Sequence, residues 1–320
     1  MTLARWLMGA FMLTVLFLLG LATVWAPDKP VAMLTARWAP PPSRFIALGG
    51  MQVHLRDEGP RTDSVPIVLV HGTSASLHTW NGWAESMRGS RRVIRFDLPG
   101  FGLTGPSPDN DYALAAYTRF TLQLLDSLGV SRFAIAGNSL GGEVAWEVAA
   151  AAPDRVAALL LVDAAGYKIV SQTVPIGFRM ARAEWLAWLF TRILPRSVVE
   201  SSVRSVYGDP SRVTDSLVTR YFELTLREGN RASLPRRFAQ SANGADSARI
   251  TAVRAPTLIM WGGRDGLIPP DHAGRFARDI PGSRIELFPE LGHVPHEEDP
   301  ARTAAAVRAF LDCPSCPVSR

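Results

Sequence analysis

The sequence predicts an α/β fold with a mostly parallel sheet and helices on both faces. Short, continuously apolar runs recur along the chain, such as "VPIVLVHG" at 65–72 and "RVAALLLVDAAG" at 155–166, and runs of this kind mark strands buried on both faces. Between most of them lie helix-like stretches, including Tyr112 to Leu128 and Glu143 to Ala152. Strands that alternate with helices build parallel sheets through crossover connections. With 320 residues, 47% of them hydrophobic and 20% charged, the chain can bury a sizeable core, and general disorder is excluded.

From the N-terminus, residues 6–26 ("WLMGAFMLTVLFLLGLATVWA") carry no charge. As a helix they would reach about 31 Å, close to the thickness of a bilayer's hydrocarbon core. Trp6 and Trp25 stand at the two ends like interfacial residues. The stretch exceeds the apolar region of a cleaved signal peptide, and Pro27 follows the best small-residue site at Ala26. The expectation is an uncleaved transmembrane anchor over 1–26, with the membrane as a partner and the remaining chain periplasmic or otherwise extracytoplasmic.

"APPPSR" belongs to a proline-rich spacer over 27–43. "RFIALGG" and "MQVHLRDEG" then read as a β-hairpin joined at Gly49-Gly50, which puts His54 in an alternating, exposed edge strand. Buried-strand runs follow in "RRVIRFDLPG", "SRFAIAGNS", "RVAALLLVDAAG", "APTLIMWGGRD" and "SRIELFPELGH". They stop from about Gly166 to Ala248, where only amphipathic stretches occur. That interval is expected to be a helical cap over 166–248, inserted into a core formed by 44–165 and 249–312. The tail 313–320 holds Cys313 and Cys316 in "CPSCP", and a lone CxxC supports neither zinc nor a thioredoxin-like site. The net charge is +5, but the arginines are scattered and form no basic run, so nucleic acid is not an expected partner.

The chemistry centres on "GNSLGG", residues 137–142, which follows an apolar run and opens a helix-like one. On a strand-to-helix turn, Gly137 and Gly141 let strand and helix approach while Ser139 is held in an unfavourable conformation with its hydroxyl clear of the sheet. The N–H of Leu140 then faces the same space, at the positive end of the helix. A serine hydroxyl needs a base. Of six histidines, His293 is the candidate, because "LGHVPHEEDP" follows the last strand and reaches the sheet edge where ligands bind in open α/β sheets. The imidazole needs a carboxylate. Asp265 ends the strand "TLIMW" and is favoured, with Asp163 as runner-up at the end of "LLLVD".

In the order Ser139, Asp265, His293 the chain resembles the α/β-hydrolase superfamily, specifically its esterase- or lipase-like members with a helical cap. The motifs "VLVHGTSAS", "VIRFDLPGFGLTG", "AGNSLGGEVAW", "LLLVDAAG", "LIMWGGRDGLIP" and "LGHVPHEEDP" carry the resemblance over residues 44–311. It implies an eight-stranded sheet, the catalytic triad just named and an oxyanion hole formed by the N–H groups of Thr73 and Leu140, with Gly72 in the supporting turn. It implies a small-molecule ester as substrate, hydrophobic or lipid-like, and neither cofactor nor metal. Trp185 and Trp188, three apart on a cap helix, are candidates for an acyl pocket. Two alternatives stay open: a carbon–carbon bond hydrolase of meta-cleavage products, and a non-catalytic binding protein on the same fold. Meta-cleavage enzymes share the Gly-Asn-Ser-x-Gly-Gly elbow but typically place Trp after the catalytic histidine, where this chain has Val294.

Overall fold

The computed structural model describes residues 3–182, 191–241, 243–244 and 246–313; the side chains of 1–4, 17–19 and 21–23 lie outside it, as do Trp185 and Trp188. Eight strands form one sheet in the order β1-β2-β4-β3-β5-β6-β7-β8. The strands are β1 (Arg44–Leu48), β2 (Met51–Glu58), β3 (Ile67–Val70), β4 (Val93–Phe96), β5 (Phe133–Asn138), β6 (Val156–Val162), β7 (Thr257–Gly262) and β8 (Arg284–Phe288). The β1–β2 and β2–β4 pairs are antiparallel, and β4, β3, β5, β6, β7 and β8 run parallel.

The helices are α1 (Leu3–Val24), α2 (Val31–Trp38), α3 (Asn81–Met87), α4 (Leu114–Ser127), α5 (Leu140–Ala151), α6 (Ile176–Arg182), α7 (Arg196–Arg204), α8 (Asp215–Thr225), α9 (Asn230–Ala239), α10 (Asp271–Asp279), α11 (Pro295–Glu298) and α12 (Pro300–Asp312). Alternate residues of the central strands enter different cores. Val68, Val70, Ile135, Leu159 and Leu161 pack with α4 and α5. Ile67, Leu69, Ala134, Leu160 and Met260 face Trp83 and Met87 of α3 and Val307 and Phe310 of α12. Both faces are therefore dry, which is why these strands read as continuous apolar runs.

Between β6 and β7 the chain leaves the sheet and forms α6 to α9. The N-terminal segment meets this region. Leu34 of α2 packs with Leu103 and Leu224, Trp38 Nε1 donates to Glu223 at 2.7 Å, and Arg231 Nε donates to Asp28 at 3.0 Å.

The expected membrane anchor requires correction. Residues 3–24 are helical, but among the described residues no helix is long and apolar enough to cross a membrane. The end of α1 is instead bonded to the folded body. Leu194 N–H donates to Val24 O, Ala26 N–H donates to Arg192 O, both at 3.1 Å, and Trp25 forms a bridge with Ile193. The transmembrane reading falls with this, as do the membrane partnership and the extracytoplasmic location built on it. His54 is also corrected. It is fully buried, because β2 is an inner strand covered by β1 rather than an edge.

Two glycines make the junction of β5 and α5 possible. A Cβ on Gly137 would lie 1.9 Å from Gly141 O, and one on Gly141 would lie 2.0 Å from Val70 O. Both obstacles are backbone atoms of central elements and cannot swing aside. Gly141→Ala is therefore expected to destabilise the protein by about 3 kcal/mol or more, the upper end of overpacking costs. Denaturant unfolding checks this, and a loss below about 1 kcal/mol would show that α5 can shift freely against the sheet.

Candidate active site

Ser139 sits between β5 and α5 with φ 56° and ψ −117°, a conformation a non-glycine residue adopts only when its surroundings impose it. Its N–H donates to Val162 O at 3.2 Å, and its C=O accepts from the N–H groups of Glu143 and Ala165 at 3.0 Å each. The strained residue is thus held by β6, by the first turn of α5 and by the loop after β6.

His293 follows β8 and is buried, as is Asp265 after β7. His293 Nδ1 lies 2.6 Å from Asp265 Oδ2, while Asp265 Oδ1 accepts from Leu267 N–H at 2.8 Å and Ile268 N–H at 2.9 Å. A carboxylate only accepts, so Nδ1 carries a proton, and in the neutral ring Nε2 presents a lone pair. Ser139 and His293 line the same cavity, of about 110 Å³, whose other walls are mostly apolar: Leu194, Val198, Val199 and Val203 among them. A second chamber of about 500 Å³ also reaches Ser139 and Thr73, and it is walled by Glu143, Tyr167, Arg182 and Arg237. Burial pushes the Glu143 carboxyl up, and Arg237, which donates to it at 3.1 Å, opposes that.

Asp163, the runner-up, ends the strand next to β7. One oxygen or nitrogen each of Asp163, Asp265 and His293 lies within 4.8 Å of the others. These donors suit a cation poorly, because His293 Nδ1 is already engaged by Asp265. Asp163 is moreover held well above the usual carboxylate range by burial and by the neighbouring Asp265 charge.

The loop after β3 is set by a histidine that sequence reasoning passed over. His71 Nε2 accepts from Leu98 N–H at 2.9 Å, so the ring proton is on Nδ1, which donates to Gly72 O at 2.7 Å. Burial lowers the pKa of His71, which keeps this neutral tautomer in place. In a trans peptide C=O and N–H point oppositely. The Thr73 N–H is therefore turned away from His71, and Thr73 itself lines both chambers. The N–H of Leu140 opens α5, where the helix is positive. Neither N–H meets a protein acceptor among the described residues.

Three further positioning groups went unrecognised in the sequence. Asn138 Nδ2 donates to His293 O at 2.9 Å and to Val162 O at 3.1 Å, tying the histidine loop to the elbow. Glu298 accepts from the N–H groups of Gly208, Asp209 and Gly292 at 3.0, 2.8 and 2.9 Å, joining that loop to the segment after α7. Asp97 is fully buried and accepts from Leu77 N–H, Leu103 N–H and His54 Nδ1, each at 2.7 Å. Asn138 stood in the elbow motif itself, whereas Glu298 was hidden in an acidic tract that reads as surface. His296 of that tract is fully buried and packs against Trp80, with ring centroids 4.0 Å apart and planes tilted by 33°.

The family model described as alpha/beta hydrolase fold matches residues 65–300. The chain belongs to the α/β-hydrolase family. An uncharacterised protein of Mycobacterium tuberculosis is 32% identical over 289 residues, covering 86% of this chain and 82% of its own. A 2-hydroxymuconate semialdehyde hydrolase of Pseudomonas putida is 29% identical over 281 residues, covering 85% of this chain and 95% of that one. Among solved structures, a membrane phospholipase A described as a novel bacterial virulence factor superposes with a TM-score of 0.73 at 21% identity, covering 98% of this chain and 100% of that one.

Asp97 supplies a pH prediction. Burial would raise its pKa, but the His54 imidazole, by its charge and its hydrogen bond, outweighs that and holds it at about 2, against an ordinary 3.8. A carboxylate depressed in this way stabilises the fold above its unfolded pKa, and that contribution disappears as pH falls towards 2. Asp97→Asn is expected to cost about 2 kcal/mol at pH 7. Denaturant unfolding should show the gap between the two proteins closing between pH 4 and pH 2. A gap independent of pH over that range would contradict this account.

Proposed function

We propose that this α/β-hydrolase cleaves carboxylic esters through an acyl-enzyme formed on Ser139. One observation carries the reading: a conformationally strained serine shares a cavity with His293, whose Nδ1 is committed to Asp265 and whose Nε2 is left as the base. In the first step Ser139 Oγ attacks the ester carbonyl carbon and its proton passes to His293 Nε2. The oxygen of the tetrahedral intermediate accepts from the N–H groups of Thr73 and Leu140, and a donor of this kind contributes about 3 kcal/mol to the transition state. His293 then protonates the departing alkoxide. A water attacks the acyl-enzyme while His293 takes its proton, and collapse of the second intermediate restores the Ser139 hydroxyl.

The two chambers divide the substrate. The apolar cavity of about 110 Å³, closed by Val198, Val199 and Val203 of α7, takes the acyl group. The larger chamber, with polar walls, takes the alcohol side. So small an apolar space favours short acyl chains over long ones.

Carbon–carbon bond hydrolysis is the second reading. The relative named as a 2-hydroxymuconate semialdehyde hydrolase favours it, as does the Arg237 guanidinium in the larger chamber, whose buried Nε has no hydrogen-bond partner and suits a carboxylate on the substrate. Val294 in place of Trp weighs the other way.

Both readings are decided with wild type and Ser139→Ala on p-nitrophenyl esters from acetate to palmitate and on 2-hydroxymuconate semialdehyde. Ester cleavage is expected to be fastest at short to medium chain length, to decline towards palmitate, and to drop about 10⁴-fold or more in Ser139→Ala. Val199→Trp should move the optimum to a shorter chain. Serine-dependent turnover of the semialdehyde alone would establish the second reading in place of the first.

A further inference from the structure

Two buried carboxyl groups lie behind His293, and only one is bonded as a carboxylate. Asp265 receives three donors: Leu267 N–H and Ile268 N–H on Oδ1, and His293 Nδ1 on Oδ2. Asp163 receives one, Gly262 N–H on Oδ1 at 2.9 Å, and its buried Oδ2 has no partner. Among the described residues no arginine or lysine is paired with either acid. The two carboxyl groups approach within 4.8 Å, and both are essentially inaccessible to solvent. Two like charges at that separation in a dry interior are not carried together, so the pair holds one negative charge and one proton. The donors decide where each goes. Asp265, with three, keeps the charge, and the proton sits on Asp163 Oδ2, the oxygen that nothing donates to.

We propose that Asp163 is a reserve acid, which holds the proton of the pair while Asp265 is ionised and takes over the charge and the bond to His293 Nδ1 when Asp265 cannot bear them. This rests on His293 acting as the base in the reading above. Asp163 touches neither substrate nor a reacting atom, so its role is positioning. It is placed for that role by adjacent strands: β6 and β7 are paired up to Val162 and Met260, and Asp163 N–H donates to Met260 O at 3.0 Å. The charged and titratable groups facing it are Asp265, Glu298 and, across Asp265, His293. Burial, then the Asp265 charge, then that of Glu298 all favour its neutral form.

The test uses the full chain with Asp163→Asn, Asp265→Asn and the double variant. Asparagine keeps a neutral polar group at position 163 and tolerates the positive φ of 44°, so the fold is retained. Asp163→Asn is expected to stay within about threefold of wild-type kcat/KM with an unchanged pH profile. In Asp265→Asn the neighbouring charge is gone and Asp163 ionises beside His293. That variant should therefore exceed the double variant in activity by at least tenfold, and its rate should show, besides the acidic limb of His293 common to both, a carboxyl-dependent limb that the double variant lacks. Equal activities for these two variants would overturn the proposal.

Thermal unfolding gives a readout free of catalysis. A carboxyl whose folded pKa is raised supports the fold fully below its unfolded pKa and loses that support as pH rises. The melting temperature of Asp163→Asn should consequently gain on wild type from pH 5 to pH 8. The opposite trend, with Asp163→Asn losing ground as pH rises, would mean that Asp163 is the ionised partner, and would overturn the proposal even if the wild-type protein cleaved no ester. The proposal and the functional reading thus fail separately.

Discussion

The close approach of α5 to β3 and β5 is the constraint on which the rest of the site depends. With no side chain at Gly137 or Gly141, the first turn of the helix rests on backbone carbonyls of the sheet. Only that approach makes the turn tight enough to force Ser139 to φ 56°. The strain is distributed rather than local, since β6, α5 and the loop after β6 each hold one end of the Ser139 peptide units. The same turn puts the Leu140 N–H at a helix N-terminus and sends the Asn138 amide to His293 O. Ser139, the Leu140 N–H and the Asn138 amide that holds His293 are therefore supplied by consecutive residues of one turn.

Buried charge is organised around this turn with few cations. Asp97, which fixes the loops after β3 and β4, is balanced by backbone N–H groups and the His54 imidazole. Asp265 is balanced in the same way by two N–H groups and His293. Neither acid is paired with an arginine, although the chain has many. A guanidinium beside Asp265 would satisfy the carboxylate but compete with His293 for it. Backbone donors cannot swing away, so they hold the acid in register with the histidine at no cost in side-chain ordering.

What could be read in the sequence was whatever repeats with a local period. The buried strands announced themselves as apolar runs because both faces are covered, and "GNSLGG" announced the elbow because its glycines answer a steric demand within five residues. The sequence favours Asp265 over Asp163 only because its loop and that of His293 follow successive strands, since nothing local to either acid distinguishes them. Burial of His54 was not legible because the second partner of its strand is β4, about forty residues further on, and nothing local announces that pairing. Glu298 and His71 escaped for a related reason: each is defined by backbone groups that only the tertiary fold delivers. The uncharged N-terminal stretch misled because composition reports apolarity alone. It contains no information that Val24, Trp25 and Ala26 bond to residues 192–194.

The segment after α7 and the His293 loop are mechanically one unit. His293 N–H donates to Val206 O, just beyond α7, and Glu298 gathers N–H groups from Gly208 and Asp209 in that segment and Gly292 beside the histidine. The adjoining α7, through Val198, Val199 and Val203, walls the apolar cavity. A shift of α7 that resized this cavity would also move the segment from which His293 hangs. Substrate fit and alignment of the base are therefore not independent variables in this protein. Under the proposed mechanism, an acyl group that displaced α7 would be penalised twice, first by poor contact and then by a histidine moved off the serine. Under that mechanism selectivity would appear in kcat as well as in KM, because the misfit would be felt at His293, the group proposed to transfer the proton.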